Sequence, residues 1–438
     1  MALSARATKA STPDPTNFFW EILKDLWHPE SNPGGYVSLG LAENSLMHDT
    51  LREHLSGNVS VQNDDFTYGD GKKRLKDTLA KFLNKHFQPV VPIEPSHLTV
   101  SNGCSSAIEH TAWAFGNPGD VFLLGCPYYG TFVPDITLRM GTKLELVDFG
   151  DVDPLGMDGV ERYERRIIEA QARGERVAGL ILANPHNPLG RCYSREVLTA
   201  LMKLCQRHQV NLISDEIYAL STFPNNVDSG VEINPFTSVL SIDTKDLIDP
   251  ALVHVIWGVS KDFGANGLRL GTIISQQNPT LHAALVPVTL YSSTSSMADQ
   301  AVGNMLSDDQ WVEKYVEENR QSLQKNYEHV TAWARGNGVE YAPGVNAAFF
   351  LWVNLGAVYR KTHPEAANEK DIDNAIMESL LKERVFIASG AAFGSERPGW
   401  FRIVFSQRKE YLDEGLRRIM AAVGAPLEEA FGRLKTDA

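Results

Sequence analysis

The 438-residue chain has few cysteines, and neither its cysteines nor its histidines show the spacing of a metal site. The four cysteines lie far apart and form no CxxC pair: Cys104, Cys126, Cys192 and Cys205. This spacing favours reduced thiols in a reducing compartment over a disulfide framework or a zinc site. The 12 histidines include no HExxH motif, so metal catalysis has no support in the sequence.

Long apolar runs and an excess of positive charge are also missing. No apolar run reaches the ~18 residues that a membrane helix needs. The first residues lack the apolar core of a signal peptide, and Arg6 and Lys9 form too thin a basic face for a transit peptide. The net charge of −13 would repel a nucleic-acid backbone. We therefore predict a cytoplasmic protein that binds neither membranes nor nucleic acids.

The glycine pattern GxGxxG is absent, which removes the main sequence support for a dinucleotide-dependent dehydrogenase. The chain instead repeats the order strand, loop, helix. Continuous apolar stretches such as GLILAN (179–184) and NLISD (211–215) favour parallel strands covered on both faces. Polar residues follow these strands, at the edge where a doubly wound sheet binds ligands. The sequence predicts an α/β fold with a mostly parallel, doubly wound sheet.

A second, smaller α/β domain is predicted from three strand-like segments near the C-terminus: GVNAAFFLWVNL, ERVFIASGAAFG and GWFRIVFS. The predicted division of the chain is an N-terminal arm with part of the small domain over 1–50, a large domain over 51–310, and the small domain over 311–438. In the arm, residues 17–27 predict a short aromatic amphipathic helix. Residues 308–335 predict a solvated helix between the lobes, and residues 227–249 a surface loop.

Residues 252–271 carry the clearest chemical pattern in the chain. An apolar run over 252–259 leads to Lys261, and a glycine-spaced loop then leads to Arg269. A lysine at the end of a buried strand is costly to desolvate unless it is covalently used or paired. With a lowered pKa its amine becomes a nucleophile, most often for a Schiff base, and a nearby arginine suits a phosphate. Taken alone, the stretch fits equally a surface lysine and arginine beside a turn.

A second signal is a predicted anion site that follows a short strand. Ser106 and Glu109 have the spacing of a capping box, which predicts a helix that begins near Ser106. Gly103, Cys104 and Ser105 would then present backbone amides and a hydroxyl at the N-terminus of that helix, which is an anion site by geometry and dipole. Helices begin after strands in many proteins, so this signal is weak by itself.

Other strand ends offer groups that suit a flat ring. Tyr129 follows one strand and fits either the wall of a ring pocket or loop filler. Asn187 precedes a proline, so a stiff loop presents its amide. Asp215 and Tyr218 leave the next apolar strand, where a single carboxylate is well placed to hold a protonated ring nitrogen.

Four further residues allow more than one interpretation from the sequence alone. Arg402 alternates with aromatic and aliphatic residues in its strand, so it is either a solvated strand residue or a carboxylate clamp. Asn44 is a plausible helix N-cap, and the residues around its neighbour Glu43 do not by themselves assign Glu43 a function. Tyr68 is either a core residue or a site residue.

Seven motifs in this order match one known family closely: GLAENSL, SNGCSS, CPYYGTF, NPHNPLG, SDEIY, SKDFGANGLRLG and GWFRIVFS. They begin at Gly40 and end in the strand around residue 405, so they span nearly the whole chain. The chain resembles the fold-type-I pyridoxal 5'-phosphate (PLP) enzymes of the aminotransferase class I/II group. Within that group it is similar to the branch of 1-aminocyclopropane-1-carboxylate (ACC) synthase and related C–S lyases.

The resemblance implies roles around the cofactor ring. Lys261 matches the lysine that forms the internal aldimine and later moves the α-proton. Asp215 matches the carboxylate that keeps the pyridinium nitrogen protonated. Asn187 and Tyr218 match the partners of the ring hydroxyl oxygen, and Tyr129 matches the aromatic residue that stacks on the ring. The resemblance thus makes Lys261, Tyr129 and Asp215 the predicted catalytic residues.

The resemblance also implies a phosphate site and a substrate site. Gly103, Cys104 and Ser105 correspond to the phosphate loop, and Arg269 to the phosphate arginine. The predicted substrate-binding residues are Arg402 for the α-carboxylate, Glu43 and Asn187.

Two positions depart from the family pattern. The family commonly has a phosphate-binding serine three residues before the lysine, and this chain has Gly258 there. ACC synthases have a tyrosine two residues before the glycine that Gly71 matches, and here that residue is Gly69. Tyr68 is the candidate substitute, reaching the site from a neighbouring subunit.

The resemblance implies an enzyme that forms an external aldimine with an L-α-amino acid, removes the Cα proton and breaks a carbon–sulfur bond. Plain transamination with a 2-oxo acid uses the same residues and stays open as the alternative. A non-catalytic PLP-binding regulator is a remote alternative, because an arm of about 35 residues is too short for a DNA-binding module. The family also implies a homodimer with shared active sites, and the arm helix and Tyr68 are the candidates for crossing to the partner.

Overall fold

The structure is a computed structural model that describes residues 3–11, 19–67, 74–364 and 371–424. Its strands, in chain order, are β1 (Val37–Ser38), β2 (Leu98–Ser101), β3 (Val121–Gly125), β4 (Lys143–Val147), β5 (Val177–Ala183), β6 (Asn211–Asp215), β7 (Val253–Gly258), β8 (Gly271–Ile274), β9 (Glu340–Tyr341), β10 (Phe350–Asn354), β11 (Val385–Phe386), β12 (Ala388–Ser389) and β13 (Trp400–Val404). Its helices are α1 (Ala5–Ala10), α2 (Phe19–Lys24), α3 (His48–Asn58), α4 (Leu75–Phe87), α5 (Cys104–Phe115), α6 (Phe132–Thr137), α7 (Met157–Ala172), α8 (Arg195–His208), α9 (Val259–Asp262), α10 (Pro279–Thr289), α11 (Ser296–Ser307), α12 (Asp309–Gly336), α13 (Leu355–Thr362), α14 (Ile372–Lys382) and α15 (Lys409–Ala422).

A seven-stranded sheet in the order β2-β8-β7-β6-β5-β3-β4 organises most of the described chain. Strands β7, β6, β5, β3 and β4 run parallel to one another, and β8 runs antiparallel to both strands beside it, β2 and β7. Every residue of β3, β5 and β7 is buried, as expected for strands with helices on both faces. The predicted α/β fold with a mostly parallel sheet is confirmed.

A four-stranded antiparallel sheet, β12-β13-β10-β9, contains the strands predicted near the C-terminus. A separate parallel pair, β1 with β11, joins the N-terminal segment to this C-terminal region through Val37 opposite Val385. The domain boundaries at residues 50 and 310 stay a prediction. Within the described residues, no helix is both long and apolar enough to cross a membrane, and the cytoplasmic location stays a prediction too.

Two predicted helix starts are wrong. Helix α5 begins at Cys104 rather than near Ser106, because Gly103 turns the chain earlier with a φ of +83°. The Ser106 hydroxyl donates to the carbonyl of Asn102 at 3.0 Å, and the side chain of Glu109 contacts His110 instead of capping the helix.

The helix predicted to begin at Asn44 starts only at His48. The Asn44 side chain is instead used in the interior, where it donates to Asn319 Oδ1 at 2.8 Å and accepts from the backbone of Leu46.

Two segments predicted to be solvated are partly buried. In the 227–249 segment a short helical turn, Val239–Ser241, packs inward, and the backbone N–H of Val239 donates to buried Glu216. Helix α12 has one solvated face, but Tyr315, Leu323 and other residues on its opposite face belong to the core. The polar and charged residues of the two segments therefore indicate only the face that each segment turns to solvent.

The N-terminal arm packs on its own chain. Helix α2 covers Phe19–Lys24 and ends three residues earlier than predicted, residues 17 and 18 lie outside the described residues, and the arm from residue 25 to residue 35 is not helical. The Phe19 ring lies 5.8 Å from the Phe386 ring, and Asp25 pairs with Arg384. Whether the arm also contacts a second subunit stays a prediction.

Candidate active site

The carboxyl ends of the neighbouring strands β5, β6 and β7 meet at one edge of the large sheet and open into a pocket. Parallel strands end at the same edge, so side chains distant in sequence converge there. The pocket is lined by Cys104, Ser105, Ile108, Tyr129, Ala183, Asn187, Asp215, Ile217, Tyr218, Ser260, Lys261, Asn266 and Arg269. Eight residues predicted from the sequence therefore share one cavity.

Lys261 lies in α9, directly after β7, and its amine faces the pocket. Its Nζ donates to the backbone oxygen of Ala42 at 2.6 Å. Burial, together with the positive charge of Arg402, lowers the pKa of Lys261 to about 8. Roughly a tenth to a fifth of the amine is then neutral near physiological pH, far more than for an ordinary lysine, and the neutral amine is the nucleophilic form. The alternative interpretation, in which Lys261 is a surface lysine beside a turn, is wrong.

Asp215 ends β6 and is 6% exposed. The backbone N–H of Ile217 donates to its Oδ1 at 3.3 Å, but burial still raises the pKa of Asp215 to about 7. A buried carboxylate with so little compensation costs free energy unless a positive group pairs with it. A protonated ring nitrogen would supply that charge.

Arg402, on β13, is 4% exposed, so the reading as a solvated strand residue is wrong. Its guanidinium lies 4.4 Å from the centre of the Phe350 ring and 4.6 Å from that of Phe393. It donates from Nη1 to Asn187 Oδ1 at 2.8 Å and from Nη2 to the Gly40 oxygen at 2.7 Å. Burial lowers the pKa of Arg402 to about 10.

The Asn187 carboxamide links Arg402 to the pocket. Because its oxygen accepts from the guanidinium, its Nδ2 is directed elsewhere, and since it bonds to no described residue it can donate to a ring oxygen. Among the described residues, the buried Nε of Arg402 has no hydrogen-bond partner. That unmet donor fits a carboxylate from a bound amino acid.

The N-terminus of α5 and the Arg269 guanidinium form the cationic end of the pocket. Gly103 is the N-cap of the 12-residue helix and has no side chain to cap it, so the amides of the first turn can take an anion. The N–H of Gly103 itself is engaged, because it donates to the Ser101 oxygen at 2.8 Å. A Cβ at Gly103 would overlap the guanidinium of Arg269, so glycine at this position permits their close approach. Arg269 is held by a bond from its Nη1 to the Asn266 oxygen at 3.0 Å. This end fits a phosphate.

Glu43 and Tyr68 are less directly placed. The Glu43 side chain is exposed, but its charge acts on Lys261 and opposes the lowering of the lysine pKa. The backbone oxygen of Glu43 accepts from the Ser406 hydroxyl at 2.6 Å, which ties the segment to the residues that follow β13. Tyr68, Gly69 and Gly71 lie outside the described residues.

The sequence reasoning missed several lining residues. Ser260 and Asn266 lie close to Lys261 in the motif SKDFGANGLRLG, whose glycines, lysine and arginine carry the prediction made from the sequence. Polarity next to a predicted nucleophile was an available signal for both. The apolar residues Ala183 and Ile217 follow from no local pattern, because their role as pocket wall depends on the meeting of β5 and β6.

The sequence profile of the family described as aminotransferase class I and II matches residues 37–419. The 1-aminocyclopropane-1-carboxylate synthase-like protein 1 of Bos taurus is 32% identical over 406 residues, which cover 90% of this chain and 77% of that protein. The probable aminotransferase gliI of Aspergillus fumigatus is 32% identical over 374 residues, 82% of each chain. A Mus musculus relative named probable inactive 1-aminocyclopropane-1-carboxylate synthase-like protein 2 is 30% identical, with 90% of this chain and 67% of that one covered.

Among solved structures, the aspartate aminotransferase of Thermus thermophilus with maleate superposes with a TM-score of 0.71. The match covers 96% of this chain and 100% of that chain at 20% identity, and it shows a shared fold. The pocket fits the cofactor of such proteins, because a cationic end, a buried carboxylate and a partly buried lysine surround one space. The chain belongs to the aminotransferase class I and II family, which uses pyridoxal 5'-phosphate as its cofactor.

Proposed function

We propose that the protein is a PLP-dependent enzyme that binds an L-α-amino acid, removes its Cα proton and then breaks a carbon–sulfur bond. The observation that carries this proposal is the convergence of Lys261, Asp215 and the Asn187–Arg402 pair on one pocket. A nucleophilic amine, a carboxylate for a ring nitrogen and a guanidinium for a substrate carboxylate are the groups that such a reaction needs.

Each residue has a proposed part in holding the cofactor. Lys261 binds it covalently, and Asp215 keeps a proton on the ring nitrogen. Asn187 and Tyr218 donate to the ring oxygen, and Tyr129 packs on the ring face. The backbone amides of Cys104 and Ser105 and the guanidinium of Arg269 would hold the phosphate. The bound cofactor supplies an electron sink for the negative charge that develops at Cα.

Arg402 and Lys261 have the proposed parts in substrate chemistry. The Arg402 guanidinium binds the α-carboxylate through its unmet Nε and one Nη, which fixes the direction of the Cα–H bond. The amine of Lys261 would take the Cα proton. Its environment, which lowers the pKa to about 8, supports this role because a base must be neutral before it accepts a proton.

Support for carbon–sulfur cleavage comes from the ACC synthase-like relatives and from the motifs shared with that branch. Glu43 adds a negative charge close to Lys261, which fits a substrate with positive charge on its side chain. Transamination is the second candidate, favoured by the fungal relative named a probable aminotransferase. The two reactions differ after Cα-proton removal, in the fate of the leaving group.

The deciding experiment mixes the holoenzyme with sulfur-containing L-amino acids, with and without a 2-oxo acid, and measures ammonia, thiol and new 2-oxo acid. For the proposed reaction we expect a sulfur-containing product without any need for a 2-oxo acid acceptor. Amino-group transfer that depends on the acceptor, with no sulfur product or ammonia, would exclude the lyase.

Catalysis itself needs a separate test, since one relative is named probable inactive. We expect the purified protein to be yellow and the Lys261→Ala variant to lack the absorption band of lysine-bound cofactor. The same band in both proteins would contradict the assignment of Lys261. A parent with the band but no turnover of any amino acid would mark a non-catalytic PLP protein.

We also propose a homodimer that completes the pocket. Apolar side chains near the end of α10 and the start of α11 are largely exposed: Val286 at 62%, Leu290 at 78%, Tyr291 at 65% and Met297 at 41%. The same segment is joined to the phosphate end, because the oxygen of Ser292 accepts from the N–H of Asn102 at 2.7 Å. A second copy on this apolar surface would therefore lie beside the cofactor phosphate.

A further inference from the structure

The side chain of Asn266 is left without a partner at the cationic end of the pocket. In the described part of the chain, its Oδ1 is buried and has no hydrogen-bond partner. Only the backbone oxygen of Asn266 is engaged there, by Nη1 of Arg269 at 3.0 Å. Buried polar atoms without partners are uncommon and unfavourable, so an amide left in this state between Lys261 and Arg269 points to a ligand.

A side chain at the neighbouring residue 258 could contact the same ligand, but the structure leaves no space for one. Residue 258 is glycine where the family commonly has a phosphate-binding serine. A Cβ at Gly258 would lie 2.5 Å from the Leu270 oxygen and 2.8 Å from Cys104 Sγ. It would also lie 3.1 Å from the Cα of Gly271. The backbone of β8 and the first residue of α5 therefore fill the space, and no side chain can donate from residue 258.

We propose that the side-chain amide of Asn266 donates to the cofactor phosphate and takes the place of the hydroxyl that is missing at Gly258. Oxygen and nitrogen of the carboxamide exchange places by a 180° rotation, so Nδ2 reaches whichever side the phosphate occupies. The hydrogen bond from Arg269 Nη1 to the Asn266 backbone oxygen holds the two residues on one turn, so both side chains can donate to the phosphate at the same time. The inference rests on the proposed position of the cofactor, with its phosphate between α5 and Arg269.

The test compares two ligands that differ only in the phosphate. The cofactor-free protein is titrated with pyridoxal 5'-phosphate and with pyridoxal, and binding is followed by the visible band and by quenching of intrinsic fluorescence. The variants are Asn266→Ala and Asn266→Asp, with Asn226→Ala as the control because Asn226 is an exposed loop asparagine outside the pocket. Thermal unfolding of each cofactor-free protein checks the fold.

For Asn266→Ala we expect the Kd for pyridoxal 5'-phosphate to rise about tenfold, while the Kd for pyridoxal stays unchanged. Asn266→Asp should weaken phosphate binding further than alanine, because a carboxylate would face the phosphate dianion. The Asn226→Ala control should bind both ligands with the affinity of the parent. The thermal midpoints of the cofactor-free Asn266 variants should equal that of the parent, since the Asn266 amide bonds to no other described residue.

Equal losses for both ligands, or parent affinity for pyridoxal 5'-phosphate in both Asn266 variants, would overturn the inference. The titration contains no amino acid, so a wrong assignment of the reaction leaves its outcome unchanged. A failure of the proposed lyase function is therefore distinguishable from a failure at Asn266.

Discussion

At the scale of single residues, Lys261 combines a partly buried, desolvated amine with a positive neighbour. Both effects disfavour the ammonium form, and the nearby Glu43 only partly offsets them. An ordinary lysine has a pKa of about 10.4 and is almost fully charged at neutral pH. The site therefore prepares the amine for covalent bonding before any ligand arrives.

The first prediction concerns the pH dependence of that bonding. When the cofactor-free protein is mixed with pyridoxal, the rate at which the lysine-bound band appears should rise with pH and level off above about 8. The neutral amine is the reacting form, and a pKa lowered to about 8 places its titration there. Stopped-flow absorbance measures the rate, with Lys261→Ala as the blank. A rate that keeps rising to pH 10.5 would show an unperturbed lysine.

The second prediction separates stability from function at Asp215. Its folded pKa is raised to about 7, so the folded state holds a proton that the unfolded state has released. Stability of the cofactor-free protein is therefore lost as pH rises from about 4 to about 7. We expect Asp215→Asn to be as stable as the parent or more stable above pH 7 in urea unfolding, with the difference fading toward pH 4.

The same substitution should damage the reaction. An amide cannot stabilise a protonated ring nitrogen as a carboxylate does, so we expect Cα-proton exchange in D₂O to slow about a hundredfold or more. Proton NMR of a bound amino acid measures this exchange. Slow exchange together with a less stable cofactor-free protein at pH 8 would contradict the electrostatic account.

At the scale of elements, glycines bring β7, β8 and α5 together. Gly258 and Gly271 lie opposite each other in the β7–β8 ladder. A Cβ at Gly271 would be 2.5 Å from the carbonyl carbon of Gly103. The junction that carries Lys261 thus packs directly on the N-terminus of α5, which explains how one strand end serves both the ring and the phosphate.

The third prediction tests this junction by Gly258→Ala. The added methyl meets backbone atoms that cannot move independently, so we expect a loss of about 1–3 kcal/mol in the free energy of unfolding. Gly336→Ala is the matched control, because Gly336 lies at the end of α12 and an added methyl there would meet no neighbouring segment within 4 Å. Urea unfolding of both variants decides. Equal free energies of unfolding for the two variants would mean that the backbone at the junction shifts easily to make room for the methyl group.

At the scale of the whole molecule, the exposed apolar surface around Leu290 and Tyr291 is the proposed contact with a second copy. The ring of Tyr291 lies 6.4 Å from that of His110 on α5, so the surface continues onto the helix that begins at the phosphate site. Loss of the dimer should for this reason affect cofactor binding as well as assembly.

The fourth prediction is that the double variant Leu290→Asp/Tyr291→Asp sediments as a monomer, with association weakened by about 2 kcal/mol or more. It should also bind cofactor more weakly than the parent. Ile168→Asp on α7 is the control, since Ile168 is 53% exposed and α7 packs on β4 and α8. Analytical ultracentrifugation at several concentrations gives the result. A fully active monomeric parent would contradict the proposal.

Much of the architecture follows from local sequence. Apolar runs mark β5, β6 and β7, and the polar residue that follows each run marks the edge where ligands bind, because parallel strands end together. Lys261, Asp215 and Asn187 could be selected for this reason, and the ordered motifs supplied the family and its cofactor. Local signals failed at the helix starts, where Gly103 and a distant partner of Asn44 outweighed the capping patterns.

The sequence alone thus determined the sheet, the family and the residues offered at the strand ends, since these depend on periodicity and on motifs of a few residues. Only the tertiary structure decided what those residues meet. Arg402 joins Asn187 across 215 positions of the chain. The unpartnered amide of Asn266 and the closed space at Gly258 likewise follow from packing between α5, β7 and β8, because no local pattern records the distance between segments far apart in sequence.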